Sequence, residues 1–377
     1  MVRRILLGVV VLGILATPVQ ASTELSKPPK LPAAAWYLVG EDGAVLAKQD
    51  ARRARAIASI TKLMTAVVAL EEARPSELVR ITPSAAGVGG STVYLRAGDE
   101  RTVRELVRAM LIPSANDAAT ALALHVGDGS AARFVSLMNA KADELGLVDT
   151  TFVNPHGLDE RGHVSSARDA TVLLRHALEV PAIRDALDEL SFSLAGGQVL
   201  PTTDDLLDTW PPLLGGKTGH TQGAGWSEAA AASRNGATVY GTVLGVETRE
   251  ARNEALQALL EFGLDRYQRV QVIDSSRVYG EADTEYGQAS VELVAQHTLL
   301  RTVREGVPLV ERAVLPTKVE LPVRKGERLG RVEVWEDDRL VASSNLIAAE
   351  SVSEPGNLGK AVWLAERTAD NLWELVT

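Results

Sequence analysis

Ala58-Ser59-Ile60-Thr61-Lys62-Leu63-Met64-Thr65 sets a serine and a lysine three residues apart at the head of an apolar run. Ile60, Leu63, Met64, Val67 and Val68 recur at helical spacing, which predicts a helix over residues 59–72. Positions i and i+3 of a helix share a face, so the Ser59 hydroxyl and the Lys62 amine are expected side by side. A serine hydroxyl is a weak nucleophile until a neighbour takes its proton. A lysine does so only as a neutral amine, a state that burial and nearby cations favour.

Two further peptides extend this reading. Ser114-Ala115-Asn116 follows Ser59 by 55 residues, and Lys217-Thr218-Gly219 follows Ser114 by 103. Ser114 and Asn116 come after Ile112-Pro113 and are expected in a loop before a helix opened by Asp117. There Ser114 is placed to relay a proton to a leaving amine, and Asn116 to hold a substrate amide and Lys62. Lys217-Thr218-Gly219 is expected to open a strand between glycine pairs. Lys217 offers a fixed cation and Thr218 a hydroxyl for a carboxylate, while Gly219 leaves room for a substrate backbone along the strand edge. Ser233-Arg234-Asn235 and Ser343-Ser344-Asn345 repeat the S-x-N pattern and are read as chance.

The rest of the chain supplies the frame. Trp36–Val39 and Ala44–Ala47 flank Glu41-Asp42-Gly43, a hairpin signal. Helical periodicity returns at Val103, Leu106, Val107 and Met110, at Phe134, Val135, Met138 and Ala142, and over 168–190 with a break near Pro181. Strands follow at Ser227–Ser233 and Ala237–Gly245 around Arg234-Asn235-Gly236, then a helix over 249–263. Two strands, a helical block, three strands and a helix predict an α/β chain of the α+β type: an antiparallel sheet flanked by helices. Beyond about residue 266, short alternating runs such as Arg331-Val332-Glu333-Val334-Trp335 predict a small all-β domain. The expected organisation is a signal peptide over 1–21, a catalytic domain over 22–265, the β domain over 266–352, and a linker with an amphipathic helix over 353–377. In that helix Val362, Ala365, Ala369, Leu372 and Val376 form a stripe, with Trp363 and Trp373 beside it.

Composition narrows the function classes. Arg3-Arg4, an apolar Ile5–Ala16 and Val19-Gln20-Ala21 read as a secretory leader, which places the mature chain outside the cytoplasm. The chain has no cysteine, which excludes disulfides, thiol nucleophiles and zinc-thiolate sites. The six histidines lack metal-ligand spacing, so no metal or other cofactor is expected, and His156 and His163 are read as structural. A net charge of −10 argues against a nucleic-acid partner.

With these residues in hand, the chain resembles the low-molecular-mass penicillin-binding proteins, serine-type D-alanyl-D-alanine carboxypeptidases, over about residues 30–352. The resemblance extends to Asn154-Pro155-His156-Gly157-Leu158-Asp159, Ser166-Ala167-Arg168-Asp169 and Gly216-Lys217-Thr218-Gly219-His220-Thr221. It implies that Ser59 attacks the penultimate D-alanine carbonyl of a peptidoglycan stem while Lys62 takes its proton. Ser114 and Asn116 complete the catalytic set. Lys217, Thr218, Gly219 and His220 bind substrate, with the backbone N–H groups of Ser59 and His220 forming an oxyanion hole. It also implies β-lactams as acylating inhibitors, a location in the periplasm or at the outer face of the cytoplasmic membrane, and a terminal helix on the membrane surface. Two departures stand out. Where the family often carries Asn-x-Asn-x-Leu-Leu this chain has Thr202-Thr203-Asp204-Asp205-Leu206-Leu207, and Arg249 and Arg252 fit the family's carboxylate arginine about equally. A D,D-endopeptidase on crosslinks and a non-catalytic wall-binding protein stay open as alternatives. A class A β-lactamase is disfavoured by the lack of an E-x-x-L-N segment and by the β domain.

Overall fold

The computed structural model describes residues 27–194 and 199–374. The leader expected over residues 1–21, and Val376 of the expected tail stripe, lie outside them. The chain divides into two compact units, one over Lys27–Arg266 and the other from Tyr267 onward.

The first unit is built on one antiparallel sheet. Its strands are β1 (Ala35–Gly40), β2 (Val45–Gln49), β3 (Leu213–Thr221), β4 (Gly225–Arg234) and β5 (Ala237–Val246), in the order β2-β1-β5-β4-β3. The Asp-Gly and Asn-Gly signals are both hairpin turns. Gly43 has φ +84°, and Asn235 and Gly236 have φ +55° and +80°, the left-handed pair that a two-residue hairpin turn requires. The first and last strands of this sheet in chain order, β1 and β5, are thus neighbours, and the helical block between β2 and β3 is an insertion that packs on one face.

That block contains α1 (Lys62–Glu72), α2 (Val103–Leu111), α3 (Asn116–Val126), α4 (Ala131–Glu144), α5 (Ala167–Glu179) and α6 (Pro181–Leu187). The predicted stripes face inward: Ile60, Leu63, Met64, Val67 and Val68 of the first and Val103, Leu106, Val107 and Met110 of the second are all buried. They join Phe134, Met138 and Leu174 in one core. Helix α2 opens with a capping box, in which Thr102 and Glu105 exchange side-chain and backbone bonds. Helix α7 (Arg249–Leu264) packs on β4 and β5.

Two local expectations change. Lys217-Thr218-Gly219 lies in the middle of β3 rather than at its start, because Gly215-Gly216 is a bulge inside the strand. The pairing register shifts between Leu213 and Gly215, and Gly215 has φ +122°. Asn116 is the first residue of α3 rather than a loop residue, since its backbone N–H is taken by the Ser91 carbonyl at 2.7 Å.

The second unit is all-β with a terminal helix. Six strands pair in the order Leu309–Val314, Arg328–Glu336, Arg339–Ala348, Val291–Ala295, Val278–Thr284 and Lys318–Val319. A separate pair joins Tyr267–Ile273 to Leu299–Arg304. Alternation is as predicted: Val332 and Val334 are buried with Leu293, Ala342 and Leu346, while Arg331 and Glu333 form an ion pair. Helix α8 (Asn357–Glu374) follows, and its Trp363 ring meets Tyr286 edge-on at 5.5 Å.

Candidate active site

Ser59 sits in a single 3₁₀ turn, Ala58–Thr61, that leads directly into α1. The turn begins with Ala58 at φ +48°, a conformation that a residue with a Cβ rarely adopts and that persists only where surroundings enforce it. The enforcing contacts are backbone to backbone. A Cβ on Gly157 would lie 1.9 Å from the Ala58 carbonyl oxygen, and one on Gly219 would lie 2.8 Å from the Ile57 carbonyl oxygen and 3.0 Å from the Ser59 nitrogen. Strand β3 and the 154–158 loop therefore clamp the turn from two sides, and only glycine permits either approach.

Lys62 is the centre of the polar network. Its Nζ lies 2.7 Å from Ser59 Oγ, 2.7 Å from Asn116 Oδ1 and 3.0 Å from the His156 carbonyl oxygen. The side chain is wholly buried. Burial, then the neighbouring Lys217 cation, hold its amine well below the usual lysine range, against a smaller upward pull from Asp117. Asn116 is fixed in turn, its Nδ2 donating to the Gly89 carbonyl at 2.7 Å. Asp117 anchors the loop that carries the Gly89 carbonyl by accepting from the Val93 and Leu95 N–H groups.

The opposite wall comes from β3. Lys217 is buried, and its Nζ donates to the Thr218 carbonyl oxygen at 3.0 Å. Burial pushes its pKa down to about 8, while Glu228 and Asp204 pull it back up and Arg252 adds to the depression. The Thr218 hydroxyl lies 2.6 Å from that of Thr203. His220 is exposed and stacks on Trp226, ring centroids 4.1 Å apart. Ser114, at φ +63°, is buried and completes the cleft.

Ser59, Ser114, Thr218, Gly219 and His220 line one cleft of about 230 Å³, with Lys62, Asn116 and Lys217 buried in the same cluster. All eight residues picked from sequence thus come together. Sequence left Arg249 and Arg252 equal, and both line the cleft. Their settings differ. Arg252 is fully buried, with Nε 3.1 Å from Glu228 and a terminal nitrogen 3.2 Å from Asp205, whereas Arg249 is partly exposed and pairs with Asp205. Sequence reading missed Thr203, Asp204, Trp226 and Glu228. The only available signal was the Thr202–Leu207 departure from the family pattern.

The two histidines have structural surroundings. His163 is buried, with Nδ1 accepting from the Val153 N–H at 3.0 Å and Nε2 2.7 Å from the Thr61 hydroxyl. The first bond requires an unprotonated Nδ1, so Nε2 carries the proton and donates to Thr61. Burial lowers the pKa of both His156 and His163 to about 4.

Residues 22–248 match the D-alanyl-D-alanine carboxypeptidase family, and residues 267–354 match the C-terminal domain of penicillin-binding protein 5. The chain belongs to the D-alanyl-D-alanine carboxypeptidase family. It is 30% identical to D-alanyl-D-alanine carboxypeptidase DacF of Bacillus subtilis over 84% of each chain. The crystal structure of penicillin-binding protein 5 from Haemophilus influenzae superposes with a TM-score of 0.64 at 28% identity, covering 87% of this chain and all of that one. The Streptomyces K15 DD-transpeptidase superposes with a TM-score of 0.60 at 28% identity, covering 64% of this chain and all of that one.

Proposed function

We propose that this protein is a serine D,D-carboxypeptidase that removes the terminal D-alanine from peptidoglycan pentapeptide stems. The observation that carries the reading is the fully buried Lys62 amine, 2.7 Å from Ser59 Oγ and depressed by burial and Lys217. A neutral amine at that distance is a general base for the serine. The Ser59 oxygen attacks the carbonyl of the penultimate D-alanine and its proton passes to Lys62. The tetrahedral oxyanion is held by the backbone N–H groups of Ser59 and His220. Ser114 relays a proton to the leaving D-alanine amine, and Asn116 holds Lys62 and the substrate amide. Lys217 and Thr218 bind the terminal carboxylate, with Arg249 and Arg252 adding positive charge at the same wall. Water then releases the shortened stem from Ser59.

β-Lactams carry a strained amide and a carboxylate in the same relation and acylate Ser59. Benzylpenicillin is expected to add one adduct by intact mass, mapped to the Ser59 peptide, and none in Ser59→Ala. An adduct retained by that variant rejects the assignment. Transfer of the same acyl group to an amine is the second reading, favoured by the likeness to the Streptomyces transpeptidase. Adding glycylglycine to the assay separates the two, since a transpeptidase diverts product to the amine.

The remaining proposals concern place and partners. A leader over 1–21 sends a catalytic domain over 22–265, a β domain over 266–352 and a tail over 353–377 to the periplasm, where peptidoglycan stems are the partner. No described helix is long and apolar enough to cross a membrane. Contact of α8 with the membrane surface is supported by the exposed Leu358, Val362 and Leu364.

A further inference from the structure

Behind the cleft wall lies a group of buried charges that the catalytic steps do not use. Glu228 stands opposite Thr218 on β4, and neither its carboxyl nor that of Asp204, in the segment before β3, reaches solvent to any useful extent. Both oxygens of Glu228 and Oδ2 of Asp204 are buried without a hydrogen-bond donor. The other Asp204 oxygen accepts from the Leu206 N–H at 3.0 Å. Arg252 Nε stands 3.1 Å from Glu228 as an ion pair. Orphaned buried carboxylate oxygens carry a large desolvation cost, and two facing carboxyls remove most of it by sharing one proton. Burial raises the pKa of both groups, in the direction a shared proton requires.

We propose that Asp204 and Glu228 share a single proton and act as a positioning pair, supplying one buried negative charge that keeps Lys217 an ammonium and anchors Arg252 at the carboxylate wall. The inference rests on the proposed function for its kinetic consequence only. The charges around the pair come from β3, which carries Lys217, and from α7, which carries Arg252 and Arg249. Lys62 on α1 faces Lys217 in turn. Asp205 pairs with Arg249 and, at 3.2 Å, with Arg252, and is not among the groups that act on Lys217. Without the pair, Lys217 would be a buried cation beside Arg252 and without the two carboxyls that pull its pKa up, and so neutral over more of the working pH range. A neutral Lys217 no longer attracts a carboxylate.

The test compares the mature chain with Asp204→Asn, Glu228→Gln and the double variant. Penicillin acylation rates are followed from pH 5.5 to 9.5, with melting curves to show that each is folded. Carbon-13 lysine labelling, with Lys217→Arg for assignment, reads the Lys217 titration directly. In the unsubstituted chain the alkaline limb is expected near about 8. In the double variant it moves to lower pH, with at least ~10-fold slower acylation at pH 8 and less than ~3-fold at pH 6. Each single variant retains one ionisable carboxyl and shifts the limb less than the double. A folded double variant with an unmoved limb overturns the proposal, as does a single variant that produces the whole shift. If the unsubstituted chain neither acylates nor releases D-alanine, the function fails. The Lys217 titration then still decides the pair: a lower midpoint in the double variant supports it, and an unchanged midpoint overturns it.

Discussion

Gly157→Ala should disable the site from outside the reacting group. The new Cβ would stand 1.9 Å from the Ala58 carbonyl oxygen, whereas such contacts are essentially never under 3.0 Å. One partner must therefore retreat by about 1 Å. Ala58 immediately precedes the nucleophile, and a misplacement of ~1 Å can cost ~10²-fold in rate. Gly157 also has φ +87°, so alanine adds left-handed strain of ~1–2 kcal/mol in stability. Gly162 supplies the control. Its φ is +89°, yet the nearest atom to a new Cβ is Val153 Cγ2 at 3.9 Å. Gly162→Ala should thus lower the melting temperature by the left-handed strain alone, while acylation by a fluorescent penicillin stays within ~2-fold. Stopped-flow acylation and melting curves on both variants make the comparison. If Gly157→Ala acylates as fast as Gly162→Ala, the idea that the loop clamps the nucleophile turn is refuted.

Three further outcomes follow from the same geometry. Acylation should rise with pH as Lys62 loses its proton and fall above about 8 as Lys217 loses its own; a rate flat to pH 10 contradicts the role of Lys217. His163 has its folded pKa lowered from 6.5 to about 4, so the unfolded chain binds the extra proton between those values. Its contribution is complete above pH 6.5 and is lost as pH falls toward 4, costing about 2.5 kcal/mol by pH 4.5; urea melts of the chain and of His163→Gln at pH 7 and 4.5 check that the variant loses this slope. Deleting residues 356–377 should reduce co-sedimentation with lipid vesicles without changing acylation, and unchanged sedimentation rejects membrane contact.

Much of this was legible in the sequence because it rests on short-range rules. The i, i+3 spacing of Ser59 and Lys62 on an apolar helix, the Asp42-Gly43 and Asn235-Gly236 turns, and the order of strands and helices each have a local cause. What was not legible depends on packing between distant segments. Glu228 lies in Ser227–Ala232, an otherwise small-residue run that reads as an ordinary buried strand, and its partners Asp204 and Arg252 are distant in sequence. Arg249 and Arg252 lie on one helix turn, and only the sheet beneath buries one and leaves the other partly exposed. The Gly215-Gly216 bulge looked like a strand boundary because glycine marks both. Gly157 carries no local sign that it touches Ala58, about a hundred residues earlier.

The most direct test of the account is release of free D-alanine from a pentapeptide ending in D-Ala-D-Ala, measured with the mature chain beside its Ser59→Ala variant. The account predicts release by the first and none by the second. Equal release by both, or none from either, contradicts a D,D-carboxypeptidase that works through an acyl-enzyme on Ser59.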